Sequence, residues 1–80
     1  FFHPNPAQNL AYLHLKTSES TSLKLSIYDN LGRQVLFDDY GLIYEDTVVP
    51  ILLSGLEAGI YYARIQCGET VIPRKIMVQK

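Results

Sequence analysis

The side chains best suited to chemistry in this sequence are two histidines and one cysteine. His3, His14 and Cys67 are the only residues of their types. In principle they could bind a metal ion or pair as nucleophile and base. They lie in different parts of the chain without the spacing of metal ligands, and the alternation around His14 places it on an outward face. We therefore favour surface or packing roles for all three.

Three further features could serve a catalytic or binding site: a group of serines, two glycines and a mid-chain acidic cluster. Serines 18, 20 and 22 lack the glycine-flanked elbow of a hydrolase nucleophile, and no lysine follows Gly55 or Gly59 at the spacing of a phosphate loop. A mid-chain acidic cluster could bind calcium, but it lacks the fixed order of ligands and glycine of a calcium loop. A solvated loop is the favoured interpretation of this cluster, and the sequence predicts neither catalysis nor a cofactor. The cluster consists of Asp38, Asp39, Glu45 and Asp46.

Composition indicates one globular domain. The 80 residues are 48% hydrophobic and 19% charged, which is typical of a folded chain. The net charge of −1 and the lack of a basic block argue against a nucleic-acid partner. No apolar run approaches the ~18 residues that a membrane-spanning helix needs, so we do not expect this chain to span a membrane.

The elements that would position any site are predicted to be β-strands. After a turn at residues 56–59, Tyr61, Ala63 and Ile65 alternate with more polar residues, as in a strand buried on one face. Gly59 is expected to take a positive φ there. Similar alternation predicts five further strands, with a seventh strand expected at residues 1–3 or at residues 42–44, the latter being either a short strand or a packed loop. The five strands cover residues 11–16, 23–28, 33–37, 47–53 and 71–78.

Turn residues complete this pattern. Asp29 and Gly32 predict a tight turn between two strands, so residues 23–37 should form a hairpin. Residues 38–41 are expected to end the second strand of that hairpin. Pro50 and Pro73 predict edge strands or bulges, because proline cannot donate to a ladder. Turns recur about every ten residues, which favours an all-β fold: a small immunoglobulin-like antiparallel β-sandwich of six to seven strands.

Four motifs in a fixed order resemble one family. They are Pro4-Asn5-Pro6, then Ile27-Tyr28-Asp29 with Gly32-Arg33 and Val35, then Leu56 with Gly59-Ile60-Tyr61, and finally the closing run of residues 75–80. Together they resemble the C-terminal sorting domain of proteins exported by the type IX (Por) secretion system of Bacteroidota. His3 departs slightly from the family, which more often has an aromatic residue before Pro-Asn-Pro.

The resemblance implies a folded export signal, residues 1–80, at the end of a larger secreted protein. The expected partners are the outer-membrane translocon, its shuttle protein and a sortase-like surface protease. The cargo would cross the periplasm and end at the cell surface or outside the cell. We expect the closing strand to be what the translocon recognises, by backbone pairing with the strand or its edge and by charge contacts from its basic residues; the alternative is that residues 71–80 are simply a core strand with solvating charges. The expected recognition residues are Arg74, Lys75, Ile76, Met77, Val78, Gln79 and Lys80. The remaining motif residues are expected to serve the fold: Pro4, Asn5, Pro6, Asp29, Gly32, Arg33, Leu56, Gly59 and Tyr61.

Two other functions fit a β-sandwich. An accessory adhesion or carbohydrate-binding module would cluster exposed aromatic side chains on one face, and a structural spacer would require chain beyond Lys80. The candidate aromatic residues for a glycan platform are Tyr12, Tyr28, Tyr40, Tyr44, Tyr61 and Tyr62.

Overall fold

A computed structural model describes residues 2–3 and 7–80, and the regular structure within them is entirely β. The predicted segments all form strands, and a short N-terminal strand joins them. The all-β prediction is confirmed. The strands are β1 (Phe2–His3), β2 (Leu10–Lys16), β3 (Thr21–Tyr28), β4 (Gln34–Ile43), β5 (Asp46–Leu52), β6 (Gly59–Cys67) and β7 (Thr70–Val78).

The strands form two antiparallel sheets. One sheet has the order β1-β2-β5 and the other the order β4-β3-β6-β7. The hairpins β3–β4 and β6–β7 stay within the larger sheet, whereas the connections after β2, β4 and β5 cross between sheets. Buried side chains from both sheets form one hydrophobic core. This is the architecture of an immunoglobulin-like sandwich, as the sequence predicts.

The core follows from the two-residue period of each strand. Leu23, Leu25 and Ile27 are fully buried, and Tyr61 and Ile65 meet the same core from the neighbouring strand. Among residues whose burial is described, no polar or charged side chain is buried. The inward faces predicted for β3 and β6 are confirmed. The other buried residues are Ala7, Ala11, Leu13, Ile43, Ile51, Leu53, Ala63, Ile76 and Val78.

The predicted end of a strand at residues 38–41 is wrong, because β4 continues to Ile43. The register shifts between Leu23, paired with Gly41, and Lys24, paired with Asp39, so Tyr40 is an extra residue in the ladder. Gly41 has a φ of 69°, and its N–H donates to the Asp39 carboxylate at 2.9 Å. The charged residues and glycine therefore form a β-bulge rather than a break.

The same bulge resolves the ambiguous residues 42–44. Beyond it, Leu42 and Ile43 complete β4, and Ile43 is only 6% exposed. Tyr40 is half-buried beside Asp38, and its hydroxyl donates to that carboxylate at 3.5 Å. Desolvation and the negative charge of Asp38 raise the pKa of Tyr40 to about 12. The bulge thus lets a strand with a polar middle return to the core at its end.

Both prolines occupy edge strands, as predicted. Leu53 N–H donates to the Asn9 carbonyl at 2.8 Å. Alternation from this bond places Pro50, paired with Tyr12, at a position whose backbone groups face away from β2. Pro73 lies in β7, the last strand of the larger sheet. The missing donors therefore cost the sheets no hydrogen bond.

Gly59 has a φ of 157°, which confirms the predicted positive value. We expect Gly59→Val to lower the free energy of unfolding by about 1–3 kcal/mol, because a β-branched residue is strained in this backbone conformation. Urea unfolding of the 80-residue chain measures the change. Gly55→Val is the matched control, since Gly55 lies outside that φ range and a Cβ there meets no atom within 4 Å. Equal stability of the two variants would show that backbone strain at Gly59 is negligible.

Candidate recognition site

The turn before β6 is fixed by a tyrosine. The Tyr61 hydroxyl donates to the Glu57 carbonyl at 2.7 Å, while the Tyr61 ring is 8% exposed within the core. Leu56 packs against that core, and its N–H donates to the Leu53 carbonyl at 2.9 Å. A tyrosine at this corner, bonded to backbone a few residues upstream, is a hallmark of immunoglobulin-like sandwiches. The Leu56–Tyr61 motif thus holds the connection from one sheet to the other.

The turn between β3 and β4 is organised by one carboxylate. Oδ1 of Asp29 accepts from the backbone N–H groups of Leu31 and Arg33, both at 2.9 Å. The Asp29 Oδ2 atom accepts from Nε of Arg33 at 2.8 Å. Gly32 takes a φ of 83°, and its N–H donates to the Asp29 carbonyl at 3.0 Å. The motif that begins at Asp29 therefore closes the β3–β4 hairpin.

The motif Pro4-Asn5-Pro6 lies outside the described residues, but the strands on either side of it are described. His3 pairs with Tyr12 in the smaller sheet. Ala7 instead forms a parallel bridge with Val78 at the border of the larger sheet. Since β2 begins at Leu10 in the smaller sheet, the chain passes from the border of the larger sheet to the smaller sheet between Ala7 and Leu10.

The predicted recognition residues lie on β7 and just beyond it, and they divide by alternation. Ile76 and Val78 are 1% exposed and belong to the core. Lys75 is exposed, and Met77 is 38% exposed on the outer face. A receptor that binds the folded domain therefore meets the exposed members of the set. Those are Arg74, Lys75, Met77, Gln79 and Lys80.

Three contacts occupy the outer edge of β7. Ala7 N–H donates to the Met77 carbonyl at 2.8 Å, and Gln79 N–H donates to the Ala7 carbonyl at 2.7 Å. Alternation from Met77 places the backbone groups of Pro73 on the same edge, where proline has no donor. The Arg74 guanidinium donates to the Pro73 carbonyl at 2.8 Å. Much of this edge is therefore closed to an added strand.

The end of the chain is tied to the opposite side of the sandwich. Lys80 Nζ donates to the Leu53 carbonyl at 3.2 Å and to the Ser54 carbonyl at 3.1 Å. Those carbonyls lie in the connection that follows β5. The C-terminal residue thereby fastens β7 to the turn that leads into β6.

Exposed apolar side chains lie beside the predicted recognition residues 74–80, which we call the tail, on the outer face of the larger sheet. Ile60 is 38% exposed and pairs directly with Met77. Tyr62, 49% exposed, lies between Lys75 on β7 and Tyr28 on β3. Sequence analysis places Ile60 and Tyr62 on one face but cannot show that Met77 joins them, because this needs the β6–β7 register.

The histidines come together, although the sequence gives no sign of it. His3 and His14 have ring centroids 6.3 Å apart in an edge-to-face arrangement, because His3 pairs with Tyr12, two residues before His14. Cys67 belongs to the other sheet, and burial raises the pKa of its thiol, which opposes a reactive thiolate. Within residues 2–3 and 7–80, no three His, Cys, Asp or Glu side chains form a metal-binding group.

The six tyrosines do not share a face. Tyr12 lies on the smaller sheet and Tyr61 in the core, whereas Tyr44 lies in the connection after β4. Tyr28 and Tyr62 are neighbours on the larger sheet. This distribution counts against a glycan platform built from all six tyrosines. In the part of the chain that the structure describes, we find no helix long and apolar enough to cross a bilayer.

The fold is a small immunoglobulin-like domain, and its candidate recognition surface consists of exposed tail residues and of exposed residues on the outer face of the larger sheet. Residues 2–79 match the family described as the secretion system C-terminal sorting domain, and the chain belongs to this family. Such domains direct type IX export to the cell surface or the extracellular space and are recognised by that machinery. Neither the curated proteins nor the solved structures contain a significant match.

Removing the Tyr61 hydroxyl tests the corner. We expect Tyr61→Phe to lower the free energy of unfolding by about 1 kcal/mol, since the bond to the Glu57 carbonyl is lost while the ring still fills the core. Denaturant unfolding measures this change. Tyr62→Phe, at an exposed position on the same strand, is the control and should change stability by less than about 0.5 kcal/mol. Equal effects at the two positions would contradict a structural role for the Tyr61 hydroxyl.

The Asp29 turn predicts a pH dependence. The N–H of Arg33, which donates to the carboxylate, is the main cause that lowers the pKa of Asp29 below its usual value of 3.8. The ionised form is thus favoured in the folded state, so its stabilising effect is present above pH 3.8 and is lost as pH falls through the lowered pKa. Asp29→Asn should therefore melt below wild type at pH 7, and the gap should narrow in acid.

The control for this experiment lies in the same turn. Asn30→Ala changes an exposed residue without a titratable group, so its difference in melting temperature from wild type should not follow pH. A gap between Asp29→Asn and wild type that stays constant from pH 7 to pH 2 would contradict the role of the charge.

Proposed function

We propose that this domain is a non-catalytic C-terminal export signal for a larger secreted protein. In this proposal the type IX outer-membrane translocon and its shuttle protein recognise the domain after its cargo reaches the periplasm. A sortase-like surface protease then removes it, and the cargo is anchored at the surface or released. The observation that carries the proposal is the family match across residues 2–79.

The distribution of polar groups supports a role as a ligand rather than a catalyst. The buried positions described here hold apolar side chains and one tyrosine, with no buried charged group. A small domain filled in this way leaves little interior for a reaction centre. Whatever a partner recognises must then lie on the outside of the sandwich.

The tail is the proposed recognition element within this domain. Its exposed members include three cations, Arg74, Lys75 and Lys80, in a chain whose net charge is −1. Clustered positive charge favours encounter with an acidic receptor surface. Ile76 and Val78 contribute differently in this proposal, because as core residues they hold the strand in place.

A reporter fusion tests the signal. We expect residues 1–80, fused behind a reporter that carries its own periplasmic signal, to bring the reporter to the surface or medium of a host with the type IX system. The same fusion should stay in the periplasm when the translocon is deleted. An unrelated immunoglobulin-like domain of similar size is the control for fold alone. Periplasmic retention of a fusion that resists protease, and is therefore folded, would refute the proposal.

The tail needs a gentler test than deletion, because removing residues 76–80 would also remove two core side chains. Gln79→Ala with Lys80→Ala keeps the backbone bond to Ala7 but also removes the bonds from Lys80 to the carbonyls of Leu53 and Ser54, so melting of the 80-residue chain must first show that the pair folds. We expect this pair to reduce export without loss of folding. Lys16→Ala with Gln34→Ala removes the same two side-chain types at exposed positions away from the tail. Equal export of both pairs would exclude a side-chain contribution from residues 79 and 80.

A further inference from the structure

The outer face of the larger sheet carries a band of exposed apolar side chains that crosses the sheet. We name this set, Phe37, Ile60, Tyr62 and Met77, the outer-face band. Phe37 is 51% exposed on β4, and the other members lie on β6 and β7. The face therefore carries exposed apolar side chains on three of its four strands, well beyond the tail itself, with Ser26 of β3 beside Phe37.

Cations lie among and beside the members of this band. Arg64 lies between Ser26 and Pro73, and Lys75 lies beside Tyr62. Lys24 is on the same face, opposite Asp39. Within the described part of β3, β4, β6 and β7, Asp39 is the one carboxylate that the register places on this face, so positive charge exceeds negative. An apolar centre with a basic rim is complementary to an apolar surface rimmed by acidic groups.

Recognition by strand addition is disfavoured at each long edge. Pro50 and Pro73 remove donors from the outward positions of β5 and β7. On β4, the bulge interrupts the ladder, and Asp38 is paired with core residue Leu25 and so lies on the inward side. Bulges, prolines and inward charges are the devices by which edge strands resist pairing. Side chains on a face, rather than backbone at an edge, are what this domain presents.

We propose that the outer-face band is a docking surface for a folded protein component of the export machinery, one that presents an apolar patch rimmed by carboxylates. This rests on the proposed function and extends it from the tail to a face that includes β4 and β6. Four strands about 4.8 Å apart and six residues of about 3.3 Å give a face of roughly 400 Å². Counted on both partners this is roughly 800 Å², at the small end of the range of weak, transient complexes, which suits a signal that must be released from its receptor.

The test uses the reporter fusion and two matched double variants. Tyr62→Ser with Lys75→Glu alters the band and its rim on the larger sheet. Tyr12→Ser with Lys16→Glu makes the same chemical changes on one strand of the smaller sheet, β2, where Tyr12 is 38% exposed and Lys16 is also exposed. We expect the first pair to lower the exported fraction by about tenfold, as loss of an interface hot spot does, and the second to leave it within about twofold.

A second comparison separates the face from the tail and guards against misfolding. Phe37→Ser changes β4, which β3 and β6 separate from β7. Its control is Val48→Ser, at a 54% exposed position on edge strand β5. We expect export to fall with Phe37→Ser alone. Melting of the 80-residue chain confirms that each variant folds, and if Tyr62→Ser does not fold, the Phe37 comparison decides.

The outcomes distinguish this inference from the proposed function. Loss of export with folded band variants and normal export of both controls supports the docking surface. Normal export of the band variants, with a wild-type fusion that still requires the translocon, overturns the docking surface and leaves the export signal intact. Equal loss in band and control variants overturns the choice of face. A wild-type fusion that is not exported refutes the proposed function itself.

Discussion

The rest of the domain depends on one interaction, the pairing of Ala7 with the outer edge of β7. This strand ends the larger sheet, yet Ala7 pairs with its outer edge through bonds to Met77 and Gln79. Because β2 begins at Leu10 in the smaller sheet, residues 7–10 join the two sheets. The Lys80 amine adds a second link, to the carbonyls of Leu53 and Ser54.

With β7 held in this way, one face of the strand contributes to the core while the other face stays accessible to solvent. In a β-strand successive side chains point to opposite faces, so Ile76 and Val78 fill the core while Lys75 and Met77 remain on the surface. A signal built on such a strand is presented only when the sandwich is formed. Folding and recognition are then linked without any additional device, since unfolding the domain would scatter the exposed set.

Much of the fold could be predicted because it follows from local rules. The period of two in β3 and β6 identified their buried faces, and Asp29 with Gly32 identified a hairpin. The β4 error has a physical cause. Two aspartates and a glycine are typical of a chain break, but in an edge strand the outward backbone needs no partner, and Gly41 at positive φ accommodates the extra residue of a bulge.

The candidate site was less predictable because it depends on distances between strands. Sequence periodicity places Ile60 and Tyr62 on one face, but it contains no information on the register that sets Ile60 against Met77. His3 and His14 illustrate the same limit, since their proximity comes from the pairing of β1 with β2. The burial of Ile76 and Val78, by contrast, could be predicted from alternation alone.

Protection of the strand edges against pairing is connected with the proposed recognition through the outer face of the larger sheet. An open strand edge would bind copies of the domain as readily as a receptor. Pro50, Pro73 and the Tyr40 bulge remove that hazard at the three long edges. Specificity must then reside in side chains, whose charges discriminate between partners in a way that backbone hydrogen bonds do not. Under the docking proposal, the cations beside Tyr62 would provide such discrimination, because the same face of a second copy would repel them.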